Sequence, residues 1–330
     1  MPNSLIEALL AGDRSHADVR VERSFVEDAV ELATRYTRIE KKVLGSVQVT
    51  YSPASLEIGA PGTGDLLAQS EAVAQAERAR MKLPSGPILE LARLIEEQGV
   101  KILPRHFPSN EYLGGFFFAE KLGPCILLHA GASESKMQYA LAHQYAHFIA
   151  DYDPYITTLC GAPDPSRLDD PIEMRAHAIA LALLMPRSDL EIYREALGLT
   201  PQARVSLELV RQLRVYFDLD PEVLFWRLLG LGWINAEELS RLLAENAELV
   251  AELRSPAADA AGATLLPDRF VRLVACAFGS GKLDLEAAAR YLGTDVDGAE
   301  LILGQFEYEQ PAETKRPRGN GGGRRAKRKR

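Results

Sequence analysis

Residues 141–149 read LAHQYAHFI, and this stretch organises the whole chain. His143 and His147 stand four residues apart, so on a helix they project from one face, a turn apart, where two imidazoles can hold one metal ion. An HxxxH pair alone is common in helices that hold no metal. Its context favours a metal site. KMQYALA at 136–142 is apolar on the side a buried helix requires, and IEMRAHAIALALLMP at 172–186 opens with a carboxylate and continues as an apolar helix. A tetrahedral catalytic zinc site takes three protein ligands and leaves one position open, which makes Glu173 the candidate third ligand. Its competing role is a first-turn charge that complements the helix dipole. His177, one turn beyond Glu173, reads as a fourth ligand, a donor orienting the ligands from behind, or a substrate contact; the orienting role is preferred. His129 ends a strand beside the cleft and is a candidate for holding substrate. His106 and His16 are read as structural.

Working outward, Ser133–Ala150 and Pro171–Leu184 carry helix signals, with a polar loop rich in Asp and Pro between them. Val100–Leu103, Leu113–Ala119 and Cys125–His129 read as strands, the last two joined by a turn at Lys121–Pro124, and together they predict a small antiparallel sheet. LPSGPILELARLIEEQGV at 83–100 combines a turn, a proline near the first helical turn, an apolar stripe and a closing glycine, and reads as a well-punctuated helix. Before it come an amphipathic helix over 19–44, a β-prone segment Val47–Tyr51, a linker Pro53–Gly64 and an Ala- and Glu-rich helix Leu66–Lys82. From Arg187 the chain reads as helices broken at Gly198–Pro201, Asp218–Pro221 and Gly230–Asn235. Residues 267–304 place short helices around Gly293, a spacing that fits a helix-turn-helix or a plain three-helix bundle, with the bundle favoured from spacing alone. The organisation expected is a helical arm and linker at 1–82, the metal domain at 83–190, a helical region at 191–308 and a disordered basic tail at 309–330.

Composition sets the outer limits. The 330 residues, 47% of them hydrophobic, are enough for a substantial core. No apolar run approaches the ~18–20 residues of a membrane helix, and the amino terminus has no signal-peptide pattern, so a cytoplasmic protein is expected. Three separated cysteines, Cys125, Cys160 and Cys276, suggest neither a disulfide framework nor a thiolate zinc site and read as small buried residues. The net charge of -8 conceals an asymmetry. TKRPRGNGGGRRAKRKR, the last 17 residues, holds nine basic residues and no acid, leaving 29 basic against 46 acidic residues in the body. An acidic body argues against broad nucleic-acid binding by the folded part, whereas the tail suits phosphates, an acidic partner, the body itself or simple solvation.

The stretch from about Pro87 to Pro186 resembles the metallopeptidase domain of ImmA/IrrE proteins. PILELARLIEEQGVKI is similar to its opening helix and strand, LGGFFF and GPCILLHA to its sheet, KMQYALAHQYAHFI to its HExxH helix and IEMRAHAIALALLMP to its third-ligand helix. DPEVLFWRLLGLGWI and DRFVRLVACAFGSGKLDLEAAARYLG are similar to the carboxy-terminal helical regions of longer, regulator-type members. The resemblance implies an α+β, mostly α, zincin-like fold with Zn2+ held by His143, His147 and Glu173, and a transcriptional repressor as protein substrate or partner in stress responses.

Three departures stand out: the absence of an amino-terminal DNA-binding unit, His129 and His177 in place of the family's polar residues, and Gln144 in place of the HExxH glutamate. In such sites zinc polarises the scissile carbonyl and acidifies water while that glutamate, the general base, moves the proton. Glutamine hydrogen-bonds but takes no proton at neutral pH. Losing the base costs on the order of 10² to 10⁴ in rate. Three accounts stand: a natural pseudopeptidase that binds a partner, an engineered inactive variant, or a base supplied by His177 or His129, the last being least favoured. The competing functional class is a non-catalytic DNA-binding transcriptional regulator that uses the carboxy-terminal helices and basic tail.

Overall fold

The computed structural model describes residues 6–7, 23–46, 65–107, 112–151, 157–161, 170–200, 204–245 and 266–306. The β-prone segment and linker expected at 47–64, His16 and the basic tail lie outside them. The described helices are α1 (Arg23–Leu44), α2 (Leu66–Arg80), α3 (Leu91–Glu97), α4 (Glu134–Ala150), α5 (Pro171–Leu184), α6 (Arg187–Ala196), α7 (Leu207–Phe217), α8 (Pro221–Gly230), α9 (Ala236–Glu245), α10 (Asp268–Gly279), α11 (Leu285–Leu292) and α12 (Val296–Leu303). The strands are β1 (Lys101–Arg105), β2 (Tyr112–Ala119), β3 (Gly123–His129) and β4 (Thr157–Gly161). The chain divides into two compact units, Met1–Phe270 and Val271–Arg330.

The α+β reading holds, but the sheet is mixed, not antiparallel. Its order is β1-β3-β2-β4. The three early strands run up, down and up, and the β2–β3 hairpin folds back so that β3 lies between β2 and β1. β3 therefore pairs antiparallel with β2 and parallel with β1, with Ile102 opposite Ile126 and Leu103 opposite Leu127. All seven positions of β3 are buried, as a central strand requires. The fourth strand comes from the segment read as a polar loop: Thr157–Gly161 pairs antiparallel with the outer edge of β2. Strand pairing overrides local polarity there.

The helix expected within 83–100, with proline near its first turn, spans only Leu91–Glu97. Tertiary bonds capture the segment before it. Arg78 donates to the carbonyls of Pro84 and Gly86 at 2.6 and 2.7 Å and to that of Leu183 at 2.8 Å, and the Gly86 N–H donates to Asp189 Oδ2 at 2.6 Å. Glu90, in the left-handed region at φ 55°, then starts α3.

Helix α4 is the centre of the first unit. It packs on β2 and β3 with one side and on α5 with another, while α2 and α8 cover α5. Phe116 and Ile126 of the sheet, Tyr145 and Phe148 of α4, and Ile179 and Leu183 of α5 share one core. Helix α1 presents Phe25, Leu32, Tyr36 and Ile39 inward. Its buried Glu40 forms ion pairs with Lys101 at 3.1 Å and Arg269 at 2.9 Å, tying α1 to β1 and the start of α10. In the second unit, α11 ends at Gly293 in the left-handed conformation and α12 starts on an Asp295 cap.

The cysteine reading needs one correction. Cys125 is buried in β3, and burial pushes its thiol up to about 12, but Cys276 is exposed on the outer stripe of α10. The side chain of Cys160 lies outside the described set. Among the described residues no helix is long and apolar enough to cross a membrane.

Candidate metal centre

Two helix starts position the site. Ser133 precedes α4, whose positions 139–149 are buried throughout, so His143 and His147 point into the protein and not into solvent. At the head of α5 the Asp170 side chain accepts from the Ile172 N–H at 2.8 Å and Pro171 fills the first turn, which places Glu173 in that turn against α4. Glu173 thus occupies the dipole-favoured position and also faces both imidazoles.

The separations suit a metal. His143 Nε2 and His147 Nε2 are 3.2 Å apart. Glu173 sets Oε2 at 3.1 Å from the first and Oε1 at 3.3 Å from the second. Zinc–nitrogen bonds of about 2.0–2.1 Å at tetrahedral angles separate ligand atoms by about 3.3 Å, so each of these pairs stands near such an edge length, with a different Glu173 oxygen facing each imidazole. Among the described residues these three form the group of His, Cys, Asp or Glu side chains able to hold a metal ion. Burial pushes the Glu173 carboxyl up, but hydrogen bonds and charge from His143 and His147 prevail and hold it well below the usual carboxylate range.

A ladder along α4 supports the pair. Tyr139, His143, His147 and Asp151 follow one another at four-residue intervals. Asp151 Oδ2 lies 3.1 Å from His147 Nδ1. An ionised aspartate only accepts, so Nδ1 is the donor in this contact, which would leave Nε2 to present its lone pair to a bound metal. Arg175 on α5 anchors Asp151 by an ion pair and donates to the Ala150 carbonyl at 3.2 Å. At the other end the Tyr139 hydroxyl lies 3.3 Å from His143 Nδ1 and 2.9 Å from His177 Nδ1. His177 packs edge-on against Trp226, and burial together with His143 pushes its imidazole down to about 3.

Gln144 occupies the next face of α4. It is fully buried, and neither its Oε1 nor its Nε2 has a hydrogen-bond partner among the described residues. It lies under β2 at Gly114, where an added Cβ would meet Gln144 Cγ at 3.1 Å and the Leu127 carbonyl at 3.2 Å. The structure thus gathers His143, His147, Glu173 and His177 into one constellation. His129 is engaged locally: its Nδ1 accepts from the Gly131 N–H at 3.1 Å and its ring packs against Phe107. Tyr139, Asp151 and Arg175 were not singled out from sequence, although the first two continue the spacing of the histidine pair.

Two histidines on a buried helix, a glutamate from the next helix and a small sheet alongside define a zincin-like metallopeptidase domain. Residues 95–224 match the family model described as Peptidase_M78, the IrrE N-terminal-like domain. No curated protein matches the chain.

Proposed function

We propose that this chain is a zinc-holding regulator of the metallopeptidase family that engages a protein partner, a transcriptional repressor, and that Gln144 suppresses peptide hydrolysis. In this reading residues 83–190 form the metal domain, preceded by a helical arm and linker at 1–82 and followed by a helical region at 191–308 and a basic tail at 309–330. His143, His147 and Glu173 are the zinc ligands. When bound, zinc supplies Lewis acidity. Asp151 and Arg175 set the His147 tautomer, and Tyr139 joins His143 to His177.

The observation that carries the reading is a contrast: the metal trio is grouped closely enough to share one ion, while the position beside it bears an amide that no described residue partners. An amide donates and accepts but does not move a proton at neutral pH. The test pairs zinc stoichiometry of the purified chain with Gln144→Glu assayed against a candidate repressor. The expected result is one zinc in both proteins and a gain in cleavage on the order of 10² or more in the variant. A chain that binds no zinc, or an unaltered chain that cleaves as fast as the variant, sinks the reading.

The second reading, a non-catalytic DNA-binding regulator, draws on the short helices α11 and α12 around Gly293 and on the basic tail. DNA binding that weakens steeply with salt and vanishes on deleting residues 314–330 would favour it.

A further inference from the structure

A groove of about 610 Å³ lies among α3, α4, β1 and the end of α7. Its floor is apolar, built from Ile88, Leu91, Ile102, Leu128, Leu141 and Phe217. Its volume falls within the roughly 300–1,000 Å³ of sites that bind ligands. Its rim is apolar and exposed: Leu89 and Val215 are each 77% accessible and Tyr216 is 41% accessible. Scattered apolar side chains on a surface are ordinary, whereas three around one depression mark a contact surface.

The charge around the groove is one-sided. Glu134, Asp218 and Asp268 stand exposed on its edge beside Glu90, which pairs with Arg93 at 2.9 Å, and no Lys, Arg or His is among its described lining residues. The rim is also braced. Tyr216 packs tilted against Tyr193 at 4.6 Å and edge-on against Phe217 at 4.9 Å, and an added Cβ on Gly86 would meet the Tyr216 hydroxyl at 2.9 Å. Gln138 holds the Ile88 carbonyl at 3.1 Å. A braced rim spends little ordering entropy on binding.

We infer that this groove docks an exposed segment of a partner protein in which apolar anchors are interspersed with Lys and Arg. The apolar floor asks for large aliphatic or aromatic side chains, and the carboxylate edge selects cationic flanks and disfavours acidic ones. The chain's own basic stretch, Thr314–Arg330, matches the charge but carries no large apolar side chain. The groove is therefore assigned to a separate partner. It does not depend on the metal reading.

The probe is a synthetic helical peptide with Leu at i, i+3, i+4 and i+7 and Lys or Arg elsewhere. Its binding to the full chain is followed by fluorescence anisotropy with zinc and with chelator. Matched peptides replace the cations with Glu or the leucines with Ser. The expected result is saturable binding in both metal states and a loss of about tenfold or more with either matched peptide. Leu89→Ser with Val215→Ser should weaken binding by about tenfold or more. Glu134→Lys with Asp218→Lys should weaken it by roughly fivefold at low salt and less as salt rises. Glu195→Lys with Glu237→Lys, which changes net charge equally at exposed positions outside the groove, should leave it unchanged. Equal effects of the two charge reversals, or no effect of the Leu89 and Val215 changes, overturn the assignment. So does tighter peptide binding on deleting residues 314–330, which would place the chain's own tail in the groove. Self-association abolished by Leu89→Ser and Val215→Ser overturns it as well, by making the occupant a second copy.

Discussion

Replacing Asp151 by asparagine tests whether the ladder on α4 serves a metal. Aspartate accepts on both oxygens, Oδ2 from His147 Nδ1 at 3.1 Å and Oδ1 from Arg175, and both partners are buried. Asparagine has one accepting oxygen. If that oxygen faces His147, the amide NH₂ faces the Arg175 guanidinium, donor against donor. If it faces Arg175, the NH₂ donates to His147 Nδ1 and drives the imidazole proton onto Nε2, where it blocks the metal lone pair. Loss of such an outer partner typically lowers metal affinity about 10- to 100-fold, or about 1.4–2.8 kcal/mol. Zinc titration against a competing chelator measures this directly, with circular dichroism checking that the fold persists. In the double variant Asp151→Asn, Arg175→Met the amide oxygen is free to turn to His147, so part of the affinity should return. Unchanged zinc affinity in the single variant, or further loss in the double variant, would refute the tautomer argument.

Three further outcomes follow from the geometry. Gly114→Ala places a methyl group against Gln144 Cγ and the Leu127 carbonyl, and overpacking of this kind costs about 1–3 kcal/mol, read as a lower urea midpoint; an unchanged midpoint would show that the contact yields freely. Arg78→Met leaves the carbonyls of Leu183, Pro84 and Gly86 without their donor and Asp189 without a cation 3.7 Å away, for an expected loss of about 3–5 kcal/mol by chemical denaturation; a loss under about 1 kcal/mol would contradict the bracing role. His177 has its ordinary value of 6.5 pushed down to about 3, chiefly by burial and then by His143, against an opposing pull from Glu173. The unfolded chain therefore takes up the proton first, and stability is lost as pH falls from about 6.5 toward 3. For the metal-free chain this loss is about 1.4 kcal/mol between pH 8 and 5.5, and His177→Gln should remove it; an equal slope in that variant would refute the assignment.

The helices were legible because their apolar stripes are long: Phe25 to Ile39 on α1 and Ile179 to Leu184 on α5 bury the positions their spacing selects. Pairing was less legible. Nothing local in Gly123–His129 says that β3 inserts between β2 and β1, and the polar stretch around Thr157 becomes a strand only because β2 offers an edge. The segment before α3 shows the same limit, since the bonds that hold Pro84 and Gly86 come from Arg78 and Asp189, and the latter is distant in sequence. At the site, the histidine pair and Glu173 were readable from spacing and helix context. Tyr139 and Asp151 carried the same four-residue signal. Arg175 did not, because its role depends on how α5 crosses α4.

The metal-facing and proton-moving positions of α4 lie on different faces, and the difference has an energetic consequence. Steps of four residues keep Tyr139, His143, His147 and Asp151 on one gently turning stripe, whereas Gln144, one residue from His143, is turned about 100° away and lies under Gly114. A change at 144 can therefore alter proton transfer while leaving the stripe intact. The amide is not neutral for stability, because a buried polar group without a partner costs about 1–3 kcal/mol. Methionine would fill a similar volume without that cost. A fold with no polar partner for Gln144 among its described residues thus sustains a penalty that an apolar residue would remove.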